Sequence, residues 1–484
     1  MIRYVIDSFF AEQSYNSNKK INKRFINNKK YQYMKKNILL ILFIIFGIIA
    51  VNAQVNSERG FILKSHYDIT YTTPLVRSVS LTTIVSYYED TTHGAFVVID
   101  NGYQLADTME LPQHHYVYDF EVLGNTVYFC GKMIDGSNVN MPTESALVGK
   151  FDISPFLNNG GNASTTIYYI TFSVENRNHN MLKKMVVYKD EQNKIRIMAI
   201  GESFLCTQQS IPCVNGLDFF AMIDVTGTNT FPLYKNVFTN EVYHDIIETG
   251  NHIVLTGAMM YNNTANTICF RKLRKSNVLS NERDYLYYGI SPYIEPSTFV
   301  YAEHLEGDHF ITSTFGYVNG VESTILRTFS ANNMEMMNAQ FIPFPDEKTQ
   351  PYELRYIPAT NKVLLLQLST DNPTTRLYTI DPYPTQNYST IYEYSLNWIF
   401  HSIDIYRSDE YILAGYSGIN PAFYARNVFY TTPDCMITNY VNVNMANMFQ
   451  ISESHVPMDM LPSYPNAIPL ITTSSQRNLS LECY

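Results

Sequence analysis

The sequence predicts an all-β protein made of one repeated four-stranded unit, and three observations predict it. A strand–turn–strand pattern recurs along the chain, with Gly-Asn, Gly-Asp or Asn-Lys at the turn. Tyr (39) and Phe (28) are abundant while only 16% of residues are charged, a balance that suits a pleated, half-buried surface. Beyond Ser57 no stretch carries the 3.6-residue apolar period of a helix.

The first strands are read at Leu81–Tyr88 and Gly94–Asp100, and Asn101-Gly102 turns the second of these into Tyr103-Gln104-Leu105. Asn-Gly between apolar runs marks a hairpin because both residues tolerate positive φ. The clearest copy runs Tyr118–Leu123, a Gly124-Asn125 turn, then Thr126–Gly131, with a third strand at Ala146–Ile153. Further copies turn at Asn193-Lys194, Gly250-Asn251, Gly307-Asp308, Asn361-Lys362 and Ser408-Asp409. They begin near residues 184, 243, 300, 352 and 400, at intervals of about 50 to 65 residues, the length of one four-stranded blade with its loops.

These counts predict a β-propeller of about seven four-stranded blades, within a range of six to eight, closed by N- and C-terminal strands after Ser57 and beyond Thr438. A single blade cannot bury its own faces; stacking blades around a ring buries them and removes the open edge. On the repeated hydrophobic-x-x-Gly-(Asn/Asp)-x-hydrophobic hairpin, the chain resembles secreted bacterial β-propeller proteins in a generic way. It lacks the Trp-Asp dipeptide of the best-known propeller repeat, its one Trp being Trp398, and the paired glycines of kelch repeats occur only as Gly160-Gly161.

The N-terminus predicts export. Met34-Lys35-Lys36-Asn37 is basic, Ile38–Val51 is apolar, and Val51-Asn52-Ala53 supplies the small residue before Gln54, the layout of a signal peptide. The apolar run of about 14 residues is shorter than the roughly 20 that span a bilayer. The domain reading is therefore an upstream extension at 1–33 with Met34 as the true start, a signal peptide at 34–53, and a single domain at 54–484. Residues 1–53 hold nine Lys or Arg against two Asp or Glu, so their removal takes the net charge from −10 to −17. So acidic a chain is repelled by phosphate backbones and anionic lipid surfaces, and neither nucleic-acid binding nor a stable membrane span is expected of the mature chain.

Export permits disulfides. Cys206 with Cys213 would pin a small loop and Cys435 with Cys483 would fasten the tail, while Cys130 and Cys269 sit in strand-like runs and read as buried thiols. No metal or cofactor is expected: Cys-x-x-Cys, the metal helix and the phosphate-cradling loop are absent, and the adjacent His114 and His115 would point to opposite faces of a strand.

In a propeller the first strand of each blade lines the central channel. Lining up the turns places Tyr118, Asp119, His244, Asp245, Tyr301, Glu303, His304, Arg355, His401 and Asp404 on those strands, a mixture that stacks on and hydrogen-bonds to a sugar or small polar ligand. The competing reading is that these groups solvate the channel or bond neighbouring blades. The function expected is a binding or scaffold protein for a glycan or protein partner at the cell envelope, secreted or periplasmic. Its loops 135–144, 156–166 and 341–350 would carry recognition. The alternative is a carbohydrate-active enzyme, a glycoside hydrolase or polysaccharide lyase, with its site at the channel mouth and Asp119, Asp245 or Glu303 as the first residues to test. No residue is assigned a catalytic role.

Overall fold

A computed structural model describes the backbone within residues 58–481 and side chains within residues 74–426, in both cases with interruptions; residues 58–484 make one compact unit. The fold is all-β, and one five-residue helix, α1 (Ser154–Asn158), is present among the described residues.

After β1 (Glu58–Leu63), the strands fall into seven antiparallel groups in chain order. Unit 1 is β2 (Leu75–Ser80), β3 (Thr83–Glu89), β4 (Gly94–Ile99) and β5 (Leu105–Glu110). Unit 2 is β6 (His115–Leu123), β7 (Thr126–Asp135), β8 (Thr143–Asp152) and β9 (Ser164–Phe172). Unit 3 is β10 (His179–Lys189), β11 (Ile195–Leu205), β12 (Val214–Asp224) and β13 (Leu233–Val237), joined to unit 2 through the parallel pair His179 and Glu144. Unit 4 is β14 (Glu241–Thr249), β15 (His252–Tyr261), β16 (Ala265–Arg274) and β17 (Asp284–Tyr288). Unit 5 is β18 (Val300–His304), β19 (His309–Val318), β20 (Val321–Ser330) and β21 (Met336–Pro343). Unit 6 is β22 (Thr349–Ile357), β23 (Lys362–Ser369), β24 (Thr375–Ile380) and β25 (Tyr388–Tyr394). Unit 7 has β26 (Trp398–Tyr406), β27 (Glu410–Ser417) and β28 (Asn420–Asn427), and takes β1 as its fourth strand, Glu58 opposite Arg426 through Ile62 opposite Ala422.

The turns form as their residues dictate. Gly124, Asn193, Gly250, Gly307 and Asn361 all have positive φ, and each begins a turn expected from the sequence. The core explains the apolar runs. Along β23, Leu364 and Leu366 pack toward unit 7, whereas Val363 and Leu365 pack toward unit 5. The strand is thus buried on both faces and reads as continuous rather than alternating. Seven apolar clusters result. Six join successive units from 1–2 through 6–7, and the seventh sets Val76, Ala95 and Val97 of unit 1 against Tyr406, Ile412 and Phe423 of unit 7.

Two expectations change. The segments 156–166 and 341–350 are not long loops: α1 occupies the start of the first and β9 its end, while β21 and β22 take both ends of the second. The outer strands β9, β13, β17, β21 and β25 were not legible, their sequences showing only weak alternation. C-terminal strands add to these edges. β29 (Ile437–Asn444), β30 (Ala446–Asn447), β31 (Gln450–Ser454), β32 (Leu461–Ser463), β33 (Ala467–Thr473) and β34 (Leu479–Leu481) pair in turn with β25, β21, β17, β13, β9 and β1. Cys130 and Cys269 are buried free thiols, as expected. Cys206 is buried; Cys213, Cys435 and Cys483, and with them the expected bridges, lie outside the described residues, as do residues 1–57, the Asn101-Gly102 turn and residues 136–142 of the first expected loop. Among the described residues no helix is long and apolar enough to cross a membrane.

Candidate functional site: a charged hub between the first strands

The first strand of most units carries a β-bulge. Register shifts between Val117 and Asp119, Leu182 and Lys184, Tyr243 and Asp245, Pro351 and Glu353, and Phe400 and Ser402. The extra residue bends the strand and re-aims the side chains after it. Tyr118, Lys183, His244, Tyr352 and His401 occupy the bulges, and Asp119, Lys184, Asp245, Glu353 and Ser402 come next.

Four of the carboxylates next to or beyond the bulges accept the backbone N–H of the following unit's first strand. Asp119 Oδ2 takes Met185 N at 3.0 Å, Asp245 Oδ2 takes Ala302 N at 2.8 Å, Glu353 Oε2 takes Ile403 N at 2.8 Å, and Asp404 Oδ2 takes Ser78 N at 2.6 Å. Glu303 Oε1, on β18, takes Tyr356 N at 3.1 Å, and Ser402 Oγ takes Val76 N at 3.2 Å. Each of these bonds satisfies a backbone donor of a first strand, and an orphaned buried donor costs about 1–3 kcal/mol.

Guanidinium groups tie the carboxylates together. Arg77 of unit 1 reaches Asp119 of unit 2 at 3.0 Å and Glu353 of unit 6 at 3.3 Å, with Glu121 at 3.6 Å. Arg355 of unit 6 holds Glu353 at 2.6 Å, Asp404 at 3.3 Å and Glu303 at 3.4 Å. Units 1, 2, 5, 6 and 7 thus meet in one ion network. Lys184 of unit 3 and Asp245 of unit 4 line the same cavity, of about 190 Å³, with Tyr301 and His304 also on its wall.

The electrostatics follow from burial and neighbours. Burial pushes the carboxyl of Glu303 up to about 7, against the pull of Arg355. Asp245 is also raised by burial, opposed by Lys184. Burial acts the same way on Glu353, but Arg355, Arg77 and Lys184 outweigh it and hold that carboxyl below its usual range. Burial would lower Lys184, yet Asp119, Asp245 and Glu353 raise it above the ordinary ammonium value. Burial lowers His244 and His401 to about 4, so both imidazoles are neutral at pH 7.

Of the residues expected at the channel, Asp119, Asp245, Tyr301, Glu303, His304 and Arg355 line the cavity, and Asp404 reaches it through Arg355. His304 Nε2 is also 2.7 Å from Gly307 O, within its own turn. Tyr118 instead sits with the Lys132 ammonium 5.9 Å over its ring. His401 packs edge-on against Tyr352 at 5.7 Å, and Tyr352 stacks on Tyr301 at 6.3 Å and 26°. His244 occupies the bulge of β14.

Sequence reasoning missed Arg77, Glu121, Lys184, Glu353 and Ser402. Turn alignment fails for Lys184 because the distance from bulge to turn differs, Asp119 lying five residues before Gly124 but Lys184 nine before Asn193, and for Arg77 because its strand was not read. Gly was the better signal. Gly131, Gly201, Gly257 and Gly415 stand opposite the bulges, where a Cβ would come within 2.1 Å of the carbonyl oxygens of Tyr116, Met181, Val242 and Ile399. Among the described residues no group of His, Cys, Asp and Glu is arranged to hold a metal ion. Compared with known proteins, the chain matches no family model and no curated protein.

Proposed function

We propose that this chain is an exported seven-bladed β-propeller that serves as a binding scaffold for a glycan at the cell envelope. One observation carries the architecture: each of the seven first strands sends a charged side chain to one hub, as strands set around a common axis would. Support comes from the order of contacts, since β2 neighbours both β6 and β26, and β10, β14, β18 and β22 continue the series between them. The apolar cluster between units 7 and 1 and the seating of β1 in unit 7 agree with closure. The leader at 34–53 supports export, and a loop pinned by Cys206 with Cys213 belongs to the same picture.

The hub favours binding over turnover because most of its carboxylates are occupied in structure. Asp119, Asp245, Glu303, Glu353 and Asp404 each hold a neighbour's N–H, which leaves few groups free to relay protons. One observation favours the second reading, a glycoside hydrolase or polysaccharide lyase: Glu303, held near 7, falls where a general acid works. A glycan array read alongside a reducing-end assay on the mature chain separates the two. Glycan capture without release of reducing ends supports the scaffold. Release that is lost in Asp245→Asn or Glu303→Gln supports the enzyme, and silence in both, with a specific protein recovered by pull-down, replaces the glycan with a protein partner.

A further inference from the structure

We infer that the hub cavity is a subsite for a single neutral sugar residue, held between Lys184 and Glu121. This rests on the glycan reading and names the part of the ligand that enters. Of the three cations at the hub, Arg77 and Arg355 are each paired with several carboxylates. Lys184 differs: half-buried and lining the cavity, it makes no hydrogen bond or ion pair among the described residues. An ammonium carries three donors, and with no protein acceptor upon them they are open to a hydroxyl that enters the cavity. Glu121 faces the same space with 37% of its side chain accessible and one long contact, to Arg77 at 3.6 Å. It supplies acceptor oxygens with no backbone N–H upon them among the described residues.

The charge pattern selects the ligand class. Arg77 and Arg355 are taken up by Asp119, Glu353 and Asp404, which leaves the Lys184 ammonium and the Glu121 carboxyl facing the cavity; an anion suits only the first and a cation only the second. A hydroxyl both donates and accepts, so a neutral polyol satisfies Lys184 with an oxygen lone pair and Glu121 with an O–H. Tyr301, on the cavity wall, offers an apolar ring surface to the C–H face of a sugar. The volume agrees. About 190 Å³ holds about six waters at about 30 Å³ each, the scale of one sugar ring, and is below the roughly 300–1,000 Å³ of sites for larger ligands.

The test is calorimetric titration of the mature chain with neutral hexoses and N-acetylhexosamines, each also run against tetramethylammonium and acetate as charged probes. One neutral sugar is expected to bind, with at least a tenfold loss in Lys184→Met and a smaller loss in Glu121→Gln. The Glu121→Gln variant keeps the test informative if Lys184→Met fails to fold. Equal sugar affinity in folded Lys184→Met and in Glu121→Gln overturns the assignment, as does binding of the charged probes alone or of none of the panel. Capture of long glycans on the array that persists in Lys184→Met leaves the glycan reading standing while removing this subsite; silence on the array as well removes both.

Discussion

Asp119 shows how much one side chain is asked to do in this protein. Its two oxygens divide between Met185 N of the next unit and the guanidinium of Arg77, and both partners are buried. Removing one member of a buried pair leaves the other charge uncompensated, at a cost of about 3–5 kcal/mol. Asp119→Ala is therefore expected to lower the unfolding free energy by about that amount in urea titration, far more than a surface carboxylate would; a loss within error of zero would mean that the network is not formed. Glu303 makes the corresponding pH prediction. Its folded carboxyl sits near 7 against an ordinary 4.5, so between these values the folded state binds more protons than the unfolded one. Stability falls as pH rises through that window and is level above it. Glu303→Gln keeps an oxygen for Tyr356 N and removes the titration. Urea midpoints for the wild type relative to this variant should decline from about pH 4.5 to about pH 7, and parallel curves would refute the shift. At this scale the sequence was partly legible. Asp119, Asp245, Glu303 and Arg355 were found by counting back from turns, whereas Lys184 was lost because its turn lies farther off and Arg77 because its strand, Leu75–Ser80, was not read from the sequence.

At the scale of the element, the strand pair is governed by its bulge and by the residue facing it. Second strands β7, β11, β15 and β27 each put a glycine there, and at Gly257 a Cβ would stand 2.1 Å from Val242 O and 2.8 Å from Tyr243 Cα. Backbone cannot yield as a side-chain tip can, so Gly257→Ala is expected to cost about 1–3 kcal/mol or more by overpacking. Gly124, with φ 63° and open space around its Cα, serves as the comparison. There Ala meets only the left-handed penalty of about 1–2 kcal/mol. Thermal unfolding should rank Gly257→Ala as the more damaging of the two, and the reverse order would contradict the close approach. Hairpins were the most legible elements, since Gly-Asn, Gly-Asp and Asn-Lys state the backbone they require. Outer strands such as β17 (Asp284–Tyr288) were the least legible, because one of the two strands that β17 pairs with, β31, lies far along the chain.

The whole molecule depends on how its ends meet. β1 precedes unit 1 in the chain yet pairs with β28 of unit 7, so the first described strand completes the last unit. A chain lacking residues 58–63 would leave the Ala422–Arg426 edge open to pairing with another copy; it should elute as oligomers where the intact chain does not, and a monomer of unchanged stability would deny β1 its role. Repeat spacing made the recurrence of the antiparallel unit legible. The arrangement of ion pairs at the centre was not, since Arg77 and Glu353 lie 276 positions apart and no local pattern links them.

Closure itself is best measured by electron–electron distances between spin labels on the turns after the first strands. One pair is placed at Asn125 and Asn251, in units 2 and 4, and a second at Asn125 and Asp409, in units 2 and 7. In a closed ring of seven, both pairs are two steps apart and should give closely similar distances. If the units instead form an open arc, the Asn125–Asp409 distance will greatly exceed the other, and the shared hub will have no centre to occupy.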